Sequence, residues 1–463
     1  MFLLNGIIFG ILVLSVTPPF QAPDEHNHFL RAYQVSEGQF ISDKRKFSEG
    51  EVVSPYEYVN VVARLDKKFA SGGSLPLSIA ITFETGSKGV EFYHESKYDL
   101  EKTFPLLRLP LKEEQRAFFS FANTAIYSPV PYLPQSIGIA IGRKLDLSPI
   151  ILMYMGRVVN LLMWLILVFY AIKIIPINKR LLYLLALLPM SLFQASSLSA
   201  DSLTNAAAFL FTAVIIKTAY QDNKLNLSLF LMVMILSLTI SMSKMTYLPL
   251  LGLIFLIPMK KIENKRAYFA LALSVFSISA IANIAWIRTA DNLYIHLVKG
   301  SSSRNQLQFI LDQPMQFLNM LYNSLIARGL ITIKQYIGVL GWLDTWFPTW
   351  FYVLYVFAII LVVLSDDQSN IKISARERAL IFLCLTCSTV LIVTSVYLYW
   401  TPVGKDEALI QGRYFIPLGP LFFIMVANRM KCISRPYNTS LIFFVSLFSS
   451  CYMVYTLIKR YYL

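Results

Sequence analysis

Histidine and cysteine are scarce, four of each in 463 residues. Cys384, Cys387 and Cys451 fall in apolar runs and Cys432 in a short basic loop, which excludes a disulfide framework in the polar segments. Cys384 and Cys387 have C-x-x-C spacing, but an apolar helix without a βαβ setting argues against thiol redox chemistry. No G-x-x-x-x-G-K-[ST] is present, so there is no P-loop to cradle a nucleotide. Neither H-E-x-x-H nor H-x-x-E-H occurs, which removes those zinc-hydrolase arrangements. No internal repeat is visible. Acidic residues are in deficit, 27 against 41 basic, for a net charge of +14. That excess does not point to nucleic acid, because it gathers in alternate short loops: Lys173, Lys179 and Arg180; Lys260, Lys261, Lys265 and Arg266; Lys372, Arg376 and Arg378; Arg429, Lys431 and Arg435.

Apolar residues are abundant, 56% of the chain with a mean hydropathy of +0.56, more than a soluble domain carries. Apolar runs cover residues 2–19, 150–172, 181–198, 202–219, 227–243, 246–258, 267–289, 347–364, 379–399, 413–427 and 439–458. A run of about 18 residues crosses roughly 30 Å of hydrocarbon as a helix. The expected fold is therefore an all-α integral membrane bundle of about eleven spans, the two runs flanking Lys244 being alternatively one broken helix. By the positive-inside rule the basic loops are cytoplasmic, the N-terminus starts inside and the polar segment after the first span faces outward. Lys459 and Arg460 then fall outside, against the rule, which an even number of spans would relieve. Residues 1–19 have the length of a signal peptide but no basic n-region and no A-x-A-like site, and are expected as an uncleaved helix.

The organisation read from this pattern is a first span (1–19), an external domain (20–148), a block of spans (149–289), a second external region (290–346) and a C-terminal block (347–463). The external domain includes the polar stretch Ala70-Ser71-Gly72-Gly73-Ser74. In the second region Trp342, Trp346 and Trp350 recur every four residues and would share one face if helical, as interfacial anchors.

Directly after the first span stands Pro23-Asp24-Glu25-His26-Asn27-His28-Phe29-Leu30-Arg31. Ionisable groups beside hydrocarbon are costly and mark chemistry at an interface. If Pro23 opens a helix, Asp24, His28 and Arg31 project from one face at i, i+4 and i+7. A carboxylate there can accept a proton from a sugar hydroxyl or, with Glu25 and His28, hold a divalent cation, while the basic groups engage phosphate. The plainer alternative is a capped interfacial helix whose acids complement the dipole and pair with Arg31. Further on, Tyr127, Tyr132 and Gln135 belong to a proline-broken interfacial stretch ending at Arg143-Lys144, and Arg157 lies two turns into the next span, where a phosphate or Glu25 would partner it. Asp201, Lys244 and Arg413 stand at the external ends of spans. Asp201 is also a natural N-cap; Lys244 and Arg413 suit a lipid-linked phosphate, or snorkel to head groups.

Taken in order, P-D-E-x-x-H-x-x-R-A-Y-Q, Y-x-P-x-x-Y-L-P-Q, G-R-x-x-N, S-x-S-A-D, S-K-x-x-Y, G-W-L-D and Q-G-R-Y-F, from Pro19 to about Pro417, resemble a largely uncharacterised bacterial multispanning family related to GT-C glycosyltransferases. The resemblance implies a bundle of roughly eleven to thirteen helices with a large first periplasmic loop, set in the bacterial inner membrane. Similar serotype-converting enzymes move a sugar from undecaprenyl phosphate to a lipopolysaccharide O-antigen, working beside a flippase and a polyprenyl-phosphate glucosyltransferase. By position the acidic motif falls on Asp24 and Glu25 as catalytic residues, with Arg413, Lys244 and Arg157 on the donor phosphate. His28, Arg31, Tyr127, Tyr132, Gln135, Asp201 and Asp344 form the substrate-binding set. The expected function is glycosyl transfer, glucose being the implied sugar, with a lipid-linked-saccharide flippase or a polymerase or ligase as alternatives. Beyond the divalent cation no cofactor is expected.

Overall fold

The computed structural model describes residues 1–46, 52–53, 69–87, 89–90, 93–221, 226–261, 265–365, 371–427 and 438–463. Arg429, Lys431, Cys432 and Arg435 lie outside the described residues. Among the described residues five helices are long and apolar enough to cross a membrane: Pro149–Ile174, Asp201–Tyr220, Tyr268–Leu293, Ala375–Trp400 and Ser440–Tyr461. Five shorter apolar helices accompany them: Phe2–Val16, Leu227–Ser243, Met245–Leu256, Thr349–Leu364 and Gly412–Ala427.

The run at 181–198 departs from expectation. Pro189 lacks an N–H and crowds the preceding turn, so the helix stops at Ala186 and restarts as Pro189–Ala195, with Leu188 extended between them. Both pieces are largely buried: Lys179–Ala186 packs on Pro149–Ile174 and Thr349–Leu364, and Pro189–Ala195 on the first helix and on Asp201–Tyr220. That last helix is the axis of the bundle. Ala206, Ala207 and Ala208 give it a narrow waist on which neighbouring backbones close in, and nearly all its side chains are buried. At Lys244 the backbone is extended, separating Leu227–Ser243 from Met245–Leu256. The second piece is a 3₁₀ helix; at about 2.0 Å per residue its 12 residues reach roughly 24 Å, further than an α-helix of equal length.

The polar segment 20–148 is not all-α. Strands β1 (Asp43–Lys46), β2 (Val52–Val53), β3 (Phe69–Pro76) and β4 (Arg116–Ser120) form a sheet in the order β1-β3-β4-β2, antiparallel except for the β2–β4 pair. The Gly- and Ser-rich stretch read from sequence as a polar break is a central strand. A Cβ at Gly72 would collide with the backbone carbonyl of Phe119, so close approach demands glycine there. The sheet and the Glu25–Ser36 helix share a core of Phe29, Tyr33, Leu75, Phe119 and Ile139.

In the second polar region, Val339–Leu340 pairs with Thr345–Trp346 as a hairpin turned by Gly341 and Leu343, both at positive φ. The three tryptophans therefore do not share a helix face: Trp342 sits in the turn and donates to the Phe20 carbonyl at 3.2 Å, while Trp350 stacks edgewise on Tyr452. The C-terminal helix ends against the first polar segment. Tyr98 N donates to Tyr461 O at 2.7 Å, and buried Arg460 donates to the carbonyls of Val90, Tyr93 and Ser96 and to Asp344. The Arg460 charge that contradicted the inside rule is thus consumed within the protein.

Candidate functional site

The helix begins at Glu25, not at Pro23, because Asp24 adopts the left-handed conformation (φ 60°) that Asp tolerates better than most residues. The turn sends the two neighbouring acids in opposite directions. Glu25 goes inward, with no exposed surface, to Arg157: Arg157 Nε–Glu25 Oε1 is 2.8 Å and Nη2–Oε2 2.6 Å. The remaining Arg157 N–H groups donate to the carbonyls of Leu14, Thr17 and Pro18, and Glu25 also accepts from Leu198 N and Ala22 N. Both groups are saturated by protein.

Asp24 faces a cavity of about 60 Å³ lined by Asp24, His28, Asn123, Thr124, Tyr127, Ala200, Asp201, Lys244, Trp400, Arg413 and Tyr414. At 10–15 Å³ per water that is room for about four to six waters or one small polar group. Asn123 Nδ2 donates to Asp24 Oδ1 at 3.1 Å. Lys244 is bonded to Asp201, whose other oxygen accepts from Gln194 Nε2 at 2.9 Å; Asn205 in turn fixes Gln194. Arg413 lies between the acids, 3.9 Å from Asp24 and 3.9 Å from Asp201, and its Nε has no hydrogen-bond partner among the described residues. Two carboxylates and two cations thus meet, one cation already committed and the other held loosely.

Burial raises the Asp24 carboxyl above the usual 3.8, with the nearby Arg413 charge pulling the other way. Its side chain still keeps 41% of its surface open, so water in the cavity tempers the burial. Burial drives the His28 imidazole down to about 3; it is neutral, and its Nδ1 is 2.8 Å from the Tyr132 hydroxyl.

The remaining sequence candidates divide by place. Tyr127 is in the wall. Arg31 is buried behind it, donating to the carbonyls of Tyr127 and Phe40 and to Gln34, and so it shapes the wall without facing the cavity. Gln135 Nε2 holds the Ser199 carbonyl at 3.0 Å, which fixes the turn that presents Asp201. Asp344 is elsewhere, paired with Arg460 at 3.0 Å. Asp24, Glu25 and His28 do not converge as a metal site, since Glu25 is taken by Arg157, and no group of three His, Cys, Asp or Glu is placed for a metal among the described residues. Asn123, Thr124, Trp400 and Tyr414 were not singled out from sequence; neutral side chains give no charge signal, although Tyr414 adjoins Arg413.

A family model described as "Predicted membrane protein (DUF2142)" matches residues 7–422. The chain belongs to that family. The match embraces every residue of the cavity wall, and it makes the DUF2142 assignment one of a membrane protein. No curated protein and no solved structure matches the chain.

Proposed function

We propose that this DUF2142 protein is a membrane glycosyltransferase of the bacterial inner membrane. It would move a sugar, glucose by the resemblance, from undecaprenyl phosphate to an O-antigen or other surface glycan at the periplasmic face. The observation that carries the reading is the pairing of an accessible acid, Asp24, with a loosely held guanidinium, Arg413, in one cavity at the ends of apolar helices. The acceptor hydroxyl oxygen attacks the anomeric carbon as the bond to the phosphate oxygen breaks. Its proton passes to Asp24, and polyprenyl phosphate leaves with the bonding electrons. Arg413 exchanges its long carboxylate contacts for the phosphate and neutralises the charge that develops, a contribution of several kcal/mol for a well-placed group. Single displacement inverts the anomeric centre. Lys244 acts through Asp201, and Glu25 and Arg157 hold the turn, so neither belongs to the reacting set.

The test is reconstitution with labelled undecaprenyl-phosphate glucose and a glycan acceptor. Transfer by the wild type and its loss in Asp24→Asn, with the melting temperature kept, supports the enzyme. Transbilayer movement of the label without transfer supports the flippase, and transfer by Asp24→Asn at the wild-type rate removes Asp24 as the base.

A further inference from the structure

The segment after the Lys265–Ala290 helix takes no part in the cavity, yet two of its helices carry an unusual surface. In Ser303–Asp312, Gln306 is buried with Phe309 and Ile310 beside it. Leu307 and Leu311 point away, 50% and 68% exposed, and a third set, Asn305, Gln308 and Asp312, is exposed and polar. The next helix, Pro314–Tyr322, repeats the pattern. Phe317, Met320 and Leu321 turn to the protein, Met315, Leu318 and Tyr322 are 74%, 55% and 61% exposed, and Gln316 and Asn319 are exposed and polar. At about 100° per residue the three sets fall in three sectors roughly 120° apart on each helix. A helix surrounded by hydrocarbon would not keep the polar sector, and one surrounded by water would not keep the apolar one.

We propose that Ser303–Tyr322 is a lipid-binding ledge lying in the bilayer surface, its apolar sector sunk among acyl chains and its polar sector in head-group water. Lipid is the occupant because the ledge packs at the C-terminal end of Ala375–Trp400, a helix long and apolar enough to cross a membrane: Phe317 meets Tyr397, and Tyr399 and Trp400 are exposed at that end, as interfacial aromatics are. The protein-facing polar groups of this region bind the chain leading to the cavity. Gly404 N donates to Gln306 Oε1 (3.2 Å), Asn323 Nδ2 to the Asp406 carbonyl (3.0 Å), Ala408 N to Ser324 Oγ (2.8 Å) and Gly412 N to Gln335 Oε1 (3.0 Å). The loop so fastened ends at Arg413. The ledge, through Gln306, and the chain that follows it, through Asn323, Ser324 and Gln335, thus tether the loop that carries Arg413 to the membrane surface on which the ledge lies. The inference stands whether or not the protein transfers sugar.

Spin labels test it, placed one at a time at Leu311→Cys, Met315→Cys, Leu318→Cys, Gln308→Cys and Asn319→Cys with the native cysteines replaced, in vesicles of phosphatidylethanolamine and phosphatidylglycerol. These side chains are exposed, so the labels leave the packing intact. The expected result is that the first three labels relax with oxygen and are shielded from a water-soluble nickel chelate, while the last two show the reverse. Chelate access at all five places the ledge off the membrane; oxygen alone at all five makes it part of a span. Shielding of the first three from both reagents means that a second copy covers them. Each of these three results overturns the proposal.

Discussion

Glu25→Gln should destabilise the protein more than its single-atom change suggests. Arg157 has five N–H groups and all are used: two on Glu25, three on the carbonyls of Leu14, Thr17 and Pro18. Removing one partner of a fully buried ion pair costs about 3–5 kcal/mol, because the other charge stays buried. The amide adds a second penalty. Each Glu25 oxygen accepts from Arg157 and also from a backbone N–H, Leu198 on one and Ala22 on the other, so either orientation points an NH₂ at two donors. The upper half of that range is therefore expected. At about 2–4 °C per kcal/mol for a large domain, the apparent melting temperature should fall by roughly 8–20 °C, read in detergent at a fixed scan rate. Arg157→Met should be comparably damaging. The double variant removes both charges and should be less unstable than the sum of the singles by on the order of 3 kcal/mol. If Glu25→Gln melts with the wild type, the pair is not the staple described.

Arg413→Lys exchanges a guanidinium fork for a point charge and should lower turnover about 10²–10³-fold with the fold intact, measured as transfer in vesicles. Asp24 works ionised, so kcat/KM should fall as pH falls through its group, with a midpoint above 3.8 because burial raises it. His28 is held near 3 when folded against an ordinary 6.5 when unfolded, so between the two only the unfolded chain binds the proton. Its contribution is complete above about pH 6.5 and is lost on acidification towards 3; the melting-temperature difference between wild type and His28→Asn should shift accordingly across that window. Gly412→Ala drives a Cβ into the backbone of Thr332 and Tyr336, and such overpacking costs about 1–3 kcal/mol; both melting temperature and transfer should drop.

The apolar runs were legible because hydrocarbon thickness imposes a length on them; among the described residues five become helices long enough to span and five become shorter apolar helices, while Pro189 turned the run at 181–198 into two buried pieces. Asp201, Lys244 and Arg413 stood out because charge at the end of an apolar helix is conspicuous, and the structure gathers all three beside Asp24. What sequence could not separate was Asp24 from Glu25. Adjacent acids look alike until one left-handed residue sends them to opposite sides. The sheet was hidden for a related reason: Gly72 and Gly73 signal a flexible break, whereas here they admit the neighbouring strand and Gln34. Asp344 carried a motif's charge but spends it on Arg460, a partner over a hundred positions away that no local pattern announces.

The two ends of the chain are fastened to each other. Asn5 reaches Ser446, Gln21 accepts from Tyr461, and Tyr98 bonds the same C-terminal turn. The packing of Phe2–Val16 therefore joins an early partner, Tyr183, to one more than four hundred positions away, so this corner of the bundle is complete only when contacts of very different sequence separation have formed.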